Sequence, residues 1–225
     1  MLQLKEAGLD RYHHNLEASP SYFPEICTTR PYSSQLETVR TAKKVGFTVC
    51  SGGIIGIGES LEQRVELLET IRSLKVNSVP LNFLSPIPGT LLEGGRGITP
   101  WDCLRAIAAA RLMMPETSIR ICGGREQNLR DMQSLIFAAG ADSFMTGGYL
   151  VTPGRGVQAD LQMIRVAGLE LVRSKRQNDE SAFPASFPGP RIRLPFFVQY
   201  FLILSRDCLK IPKRSLYLKK IKIIE

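Results

Sequence analysis

Histidine, tryptophan and closely spaced cysteines are nearly missing from this chain of 225 residues. It has two histidines, one tryptophan and five cysteines (Cys27, Cys50, Cys103, Cys122, Cys208), none in a CxxC or CxxxCxxC group. Adjacent His13 and His14 are too few for a histidine-rich metal site, and an odd set of scattered cysteines gives no disulfide framework. Met1 to Asp10 reads as an amphipathic polar start without a signal peptide, so a reducing, cytoplasmic compartment is expected. The apolar run Phe196–Leu204 is far shorter than the about 20 residues of a spanning helix, so a membrane protein is not expected. A basic surface is also missing from most of the chain. Met1 to Val172 holds 17 basic and 17 acidic residues, and the 12 basic and 4 acidic residues from Arg173 onward carry the whole net charge of +8. The body therefore gives no electrostatic reason to bind nucleic acid.

What the chain does have is a glycine-rich turn, Val49-Cys50-Ser51-Gly52-Gly53-Ile54-Ile55-Gly56-Ile57-Gly58-Glu59, at the end of an apolar strand. Glycine lets a backbone approach its neighbour closely, and a cysteine at the mouth of the turn suits reactive or metal chemistry. Read alone, Cys50 fits a small buried hydrophobe in a strand-to-helix turn better than a reactive thiol, and the neighbouring motifs shift that balance. Around it, strand-like and helix-like segments alternate about five times. Strands are expected at Leu9–Leu16, Phe47–Ile57, Ser78–Leu84, Ser118–Cys122 and Asp142–Thr146. Helices are expected at 33–45 with Leu36, Val39 and Ala42 inward, 61–74 with Val65, Leu68 and Ile71 inward, 100–112, 130–139 closed by Gly140, and 159–167. This is the pattern of βα units on a parallel sheet. The polar and glycine motifs, at Asn15 and Glu17, Cys50 to Glu59, Asn82 and Arg120, all fall at the C-terminal ends of strands, where such folds place their chemistry. Cys27, Cys103 and Cys122 read as packed thiols, Met113-Met114 as core, Trp101 as a packing anchor, and His13 and His14 as groups that orient a strand end. Arg120 by itself reads as an anion binder or an ion-pair partner.

Together these motifs resemble the C-terminal part of biotin synthase, a radical S-adenosylmethionine family. The resemblance runs from Met1 to about Leu171. It rests on Tyr12-His13-His14-Asn15-Leu16-Glu17, Thr28-Thr29-Arg30, Val49-Cys50-Ser51-Gly52-Gly53, Ser78-Val79-Pro80-Leu81-Asn82 and Met113-Met114-Pro115, followed by Ile119-Arg120, Gly124-Arg125-Glu126, Ala139-Gly140-Ala141 and Leu150-Val151-Thr152-Pro153. It implies an α/β fold, a partial TIM-type (β/α) barrel with about five of eight βα units, and conversion of dethiobiotin to biotin by radical sulfur insertion. It implies S-adenosylmethionine, a 4Fe-4S cluster and a sulfur-donating 2Fe-2S cluster as cofactors. By the same resemblance Cys50 and Arg120 are two of four ligands to the 2Fe-2S cluster. Gly52, Ile54, Gly56 and Glu59 form the GxIxGxxE turn beside the adenosine. Asn15 and Glu17 reach the ribose, with Glu17 one methylene longer than the family's aspartate. Asn15 also contacts substrate, and Asn82 faces the ureido ring of dethiobiotin.

The family's CxxxCxxC loop occurs nowhere in these residues. Its 4Fe-4S ligands and the other two 2Fe-2S cysteines would belong upstream of Met1, and Leu4 to Leu9 reads as the end of a barrel helix. The chain alone is therefore expected to lack turnover. The alternative is a non-catalytic module that binds adenosine or dethiobiotin, or a half-barrel that needs its missing N-terminal half. Family members are usually homodimers. Residues 1–172 read as the partial barrel. Residues 173–225 read as an unrelated tail, Pro- and Ser-rich and then basic, either a misjoined reading frame or an extension for a membrane surface or acidic partner.

Overall fold

The computed structural model describes residues 1–95, 97–148, 154–173, 200–204 and 220–224. The Leu150–Pro153 motif and most of the composition-shifted tail lie outside them. The chain divides into two compact units, Met1–Asp142 and Ser143–Glu225. The composition boundary at residue 172 falls inside the second.

The first unit begins with α1 (Leu2–Glu6) and β1 (Arg11–His13), followed by α2 (Phe23–Ile26) and α3 (Tyr32–Lys44). Next come β2 (Thr48–Cys50), β3 (Gly53–Ile55), α4 (Leu61–Leu74), β4 (Ser78–Phe83), α5 (Pro100–Met113) and β5 (Ser118–Ile121). Two short helices, α6 (Arg125–Leu129) and α7 (Leu135–Ala139), close it. The strands are all parallel: β1 on β2, β2 and β3 on β4, and β4 on β5. This is the curled parallel sheet of a partial α/β barrel.

Sequence chemistry explains the helix starts. Ser60 caps α4 with a reciprocal box, its hydroxyl accepting from Gln63 N–H while Gln63 Oε1 accepts from Ser60 N–H. Thr99 and Asp102 do the same for α5, with Pro100 in the first turn. Each such cap contributes about 1 kcal/mol. The sheet face beneath the helices is apolar: Val49, Val79, Leu81, Ile119 and Ile121 are fully buried, as are the helix residues Ile71 and Ile107. Each of these side chains contributes about 1.5–3 kcal/mol by burial.

Arg111 anchors the entry to β5. Its guanidinium donates to the carbonyls of Gly140 (2.8 Å), Met114 (3.3 Å), Pro115 (3.0 Å) and Thr117 (2.8 Å) and to Asp142 Oδ2 (2.9 Å). Ser118 donates to the other Asp142 oxygen at 2.8 Å. Burial nonetheless raises the Asp142 carboxyl above its ordinary range, against the pull of Ser118 and Arg111.

Several expectations are corrected. The single strand Phe47–Ile57 is two strands, because the Asn15 side-chain oxygen takes the Gly52 N–H (3.1 Å) where a backbone carbonyl would continue the ladder. The strand expected at Leu9–Leu16 is confined to Arg11–His13. On α4 the buried stripe is Leu67, Leu68, Ile71 and Leu74, and Val65 is 51% exposed. On α3 Gln35 is buried with Val39 and Ala42, and Leu36 is half-buried. The helix expected at 130–139 is broken: α6 starts at Arg125, a 3-10 turn covers Arg130–Met132, and α7 follows. The break sits at Arg130, whose φ of +49° no α-helix accommodates. Gly140 closes α7 in the left-handed conformation as expected. Trp101 is no packing anchor; in the first turn of α5 it is 58% exposed.

In the second unit, β6 (Ser143–Thr146) is followed by α8 (Val157–Val166) and β7 (Glu170–Arg173). Two later strands, β8 (Tyr200–Leu204) and β9 (Lys220–Ile224), lie in the tail; β8 runs antiparallel to β6 and to β9, and β9 parallel to β7. Inside this unit Thr146 Oγ1 donates to the fully buried Asp160 at 2.5 Å. Among the described residues no helix is long and apolar enough to cross a membrane.

Candidate functional site

Side chains alternate across a strand, and the parallel register carries that alternation from strand to strand. His13 pairs with Cys50, Cys50 with Ser78, Ser78 with Ser118, Pro80 with Arg120, and Ile54 with Asn82. These residues share one face of the sheet, and Cys122 continues the row one position beyond β5. The intervening residues Val49, Val79, Leu81, Ile119 and Ile121 point to the helices. The face away from the helices thus collects Cys50, Arg120, Asn82 and Ile54, four of the residues singled out in the sequence.

The glycine turn is built by its neighbours. A Cβ on Gly52 would lie 1.8 Å from the Pro80 carbonyl oxygen, so glycine is required for β2 to approach β4. The close neighbour inferred from the glycines is, at this position, the next strand. Gly56 has a φ of +94° and packs under Ile98, a turn conformation that other residues adopt only with strain. Glu59 folds back on the turn: Oε1 accepts from Gly56 N–H and Oε2 from Ile57 N–H, both at 2.8 Å. Ile54 is half-buried and packs against a cluster of Ala18, Phe23 and Ile57, joined by Tyr22, Leu84 and Leu92.

Asn15 and Glu17 stand beside this turn. Asn15 Oδ1 holds Gly52 N–H, and its Nδ2 donates to Glu17 Oε2 at 3.5 Å. Glu17 takes a φ of +68°, and its backbone bridges Gly53 while its carbonyl accepts from Ile54 N–H at 2.8 Å. A non-glycine residue in this region costs of order 1–3 kcal/mol and persists where the surroundings over-determine it. Burial raises the Glu17 carboxyl above the usual range, opposed by Asn15 and by the charge of Arg30.

Asn82 links two strands: its Oδ1 accepts from Gly123 N–H at 2.9 Å and its Nδ2 donates to Gly53 O at 3.3 Å. These two bonds use one N–H and one lone pair of the amide. Cys50 is half-buried. Charge effects tie Cys122 to both Arg120 and Cys50, although burial dominates and pushes the Cys122 thiol up to about 12. Burial and the nearby Arg120 lower His13. His14 Nε2 meets Gln35 Oε1 at 2.8 Å, the strand-orienting role expected of it. Among the described residues no three His, Cys, Asp or Glu side chains are grouped to hold a metal ion.

Three contributors were not legible in the sequence. Arg64 donates to Glu59 at 2.6 Å, Tyr22 hydroxyl donates to Ile57 O at 2.9 Å, and Cys122 joins the inner face. The only available signal was the i, i+5 spacing of Glu59 and Arg64 across a helix start, which is weak.

Comparison with known proteins agrees with this layout. The Radical SAM superfamily matches residues 1–71, and the Biotin and Thiamin Synthesis associated domain matches residues 80–170. The biotin synthase of Geotalea uraniireducens is 56% identical over 164 residues, covering 73% of this chain and 50% of that protein. The biotin synthase of Geobacter metallireducens is 58% identical over 162 residues, 72% of this chain and 49% of that protein. The chain spans about half the length of these curated relatives. Among solved structures, methylornithine synthase (PylB) superposes with a TM-score of 0.62 at 21% identity, covering 74% of this chain and 53% of that one. The FeFe-hydrogenase maturase HydG from Carboxydothermus hydrogenoformans gives 0.59 at 19% identity, covering 74% and 44%. At these identities the likeness is one of fold.

Proposed function

Because residues 1–170 belong to the biotin synthase family of radical SAM proteins, we propose that the inner sheet face is the C-terminal part of a site that converts dethiobiotin to biotin. The observation that carries this reading is the shared facing of Cys50, Arg120, Asn82 and Ile54, with Asn15 and Glu17 beside the same glycine turn. Residues 1–172 are the partial barrel in this reading, and 173–225 a separate tail.

S-adenosylmethionine and its iron-sulfur clusters supply the hydrogen-atom abstraction and the sulfur when bound. The donor set suits them. Cys50 offers a thiolate to the 2Fe-2S cluster, and Arg120 offers nitrogen donors from the same face. Arginine is a rare ligand because its guanidinium is ordinarily cationic. Asn15 and Glu17 bind the ribose, whose two hydroxyls suit an amide beside a carboxylate. Ile54 and the backbone of Gly52–Ile54 form the apolar wall for the adenine. Asn82 uses its remaining N–H and lone pair to orient the cyclic urea, and its bonds to Gly123 and Gly53 fix its rotamer. Glu59 and Gly56 shape the turn.

A second reading has its own observation. Among the described residues β1 pairs with β2 alone, so its outer edge is open. Open edges recruit other strands. Without a CxxxCxxC group among its 225 residues, the chain by itself binds ligand without turnover, and turnover requires the strands that complete the barrel.

Both readings are tested on the purified chain. S-adenosylhomocysteine and dethiobiotin are titrated calorimetrically into wild type and Asn15→Ala, and anaerobic incubation with S-adenosylmethionine and a low-potential reductant is assayed for 5′-deoxyadenosine. Binding of S-adenosylhomocysteine that Asn15→Ala abolishes, with no 5′-deoxyadenosine, is expected. Absence of binding by the wild type refutes the pocket; 5′-deoxyadenosine formed by the chain alone refutes the need for completion.

A further inference from the structure

We infer that Arg64 is a positioning residue for the adenosyl-binding turn, acting through the carboxylate of Glu59; this rests on the adenosyl reading above. Two successive backbone N–H groups turned to one side make a concavity that attracts an anion. At Gly56 and Ile57 that concavity is filled by the chain's own Glu59, one oxygen to each N–H at 2.8 Å. An internal carboxylate in this place leaves no room for a phosphate. The turn is thus set to display the neighbouring Ile54 wall to an uncharged base and sugar.

The Glu59 side chain is 5% exposed, and a carboxylate so buried is costly unless paired. Arg64 supplies the pairing. It lies in the first turns of α4, its side chain is 15% exposed, and its Nε meets Glu59 Oε1 at 2.6 Å. From the other side Tyr22 hydroxyl donates to Ile57 O at 2.9 Å. Gly56, at φ +94°, sits under the Ile98 side chain. The turn is therefore held by one cation, one carboxylate and one phenol. Removing the guanidinium leaves Glu59 buried without its counter-charge. The carboxyl then either protonates, so that one oxygen no longer accepts well, or swings to solvent. Either change frees the Gly56 and Ile57 amides and loosens the turn, while β2, β4 and β5 keep their own ladder.

The test compares the 225-residue wild type with Arg64→Met and Arg64→Lys. It uses amide hydrogen exchange at Gly56 and Ile57, calorimetric titration with S-adenosylhomocysteine, and the thermal midpoint. Slow exchange at both amides is expected in the wild type, and faster exchange at these two positions in Arg64→Met. Its affinity for S-adenosylhomocysteine should fall by about ten-fold, a 1.4 kcal/mol loss. Arg64→Lys keeps a positive charge within reach and should recover affinity to within about three-fold of wild type. Unchanged affinity in Arg64→Met overturns the proposal. So does an equal loss in both variants that tracks a fall in thermal midpoint, since that is a purely structural role. Fast exchange at Gly56 and Ile57 in the wild type overturns the clamp itself. Slow exchange in a wild type that binds no S-adenosylhomocysteine overturns instead the adenosyl reading on which the proposal rests.

Discussion

Gly52→Ala is the sharpest test of how this sheet is assembled. The new Cβ would lie 1.8 Å from the Pro80 carbonyl oxygen and 2.8 Å from its carbon, both backbone atoms that no rotamer change can move. Restoring an ordinary C···O contact of about 3.3 Å requires β2 and β4 to separate by about 1.5 Å. The bonds Ser51 N–H to Ser78 O (3.1 Å) and Asn77 N–H to Val49 O (2.9 Å) would not survive that movement. Two lost bonds at about 1 kcal/mol each, with about 1–3 kcal/mol of overpacking, give a cost of about 3–5 kcal/mol. That is a large part of the about 5–15 kcal/mol that holds a typical domain together. Gly97→Ala is the control: nothing lies within 4 Å of its Cβ position, and the change should be neutral or stabilise by about 0.4–1 kcal/mol. Urea denaturation followed by circular dichroism measures both. A Gly52→Ala midpoint equal to that of Gly97→Ala, at unchanged slope, would refute the argument that strand packing demands this glycine.

Two further outcomes follow from the titrating groups. The thiol of Cys27 is lowered, chiefly by the Thr29 hydroxyl at 3.7 Å, whereas burial pushes Cys103 up to about 12 and leaves it fully covered. Iodoacetamide at pH 8 read by mass spectrometry should label Cys27 before Cys103, and Cys103 only on unfolding, because a thiol of pKa about 12 is about 0.01% thiolate there; equal labelling rates of these two in the native chain would contradict this. Glu17 is raised by burial, so its contribution to stability is present below the usual carboxylate range and is lost as pH rises through the raised value. Glu17→Gln should therefore gain stability relative to wild type between acid and neutral pH, and a stability difference independent of pH would contradict the burial argument.

Much of this was legible in the residues, for identifiable reasons. Strand-and-helix alternation survives averaging, so β4, α4 and α5 fall close to where their periodicity places them. Cys50, Arg120, Asn82, Asn15 and Glu17 stand out because their types are unusual at strand ends. Val65 is misplaced because the stripe that α4 buries keeps Leu68 and Ile71 but adds Leu67 and Leu74 instead, and a three-residue apolar count cannot choose between the two. The break in Phe47–Ile57 depends on a side chain 37 residues away, Asn15, which intercepts a backbone N–H. The kink at Arg130 carries no glycine or proline to announce it. Gly52 was conspicuous, but a glycine does not say whether its close neighbour is a ligand or another strand. Nothing in the sequence separates Arg64 from any other helix-surface cation; only the fold turns Glu59 toward it.

The two-faced sheet also has a consequence for how the chain finds its own structure. On β2, β4 and β5 the helix side is wholly apolar, and the opposite side carries a thiol, an amide and a guanidinium. A slip of one residue in any pairing would exchange Ile119 for Arg120 or Val49 for Cys50, driving a guanidinium under the helices and stranding a branched aliphatic in water. These polar groups therefore act as proofreaders of alignment. A substitution such as Arg120→Leu, made to disable the site, would also remove a penalty that keeps β5 in step with β4.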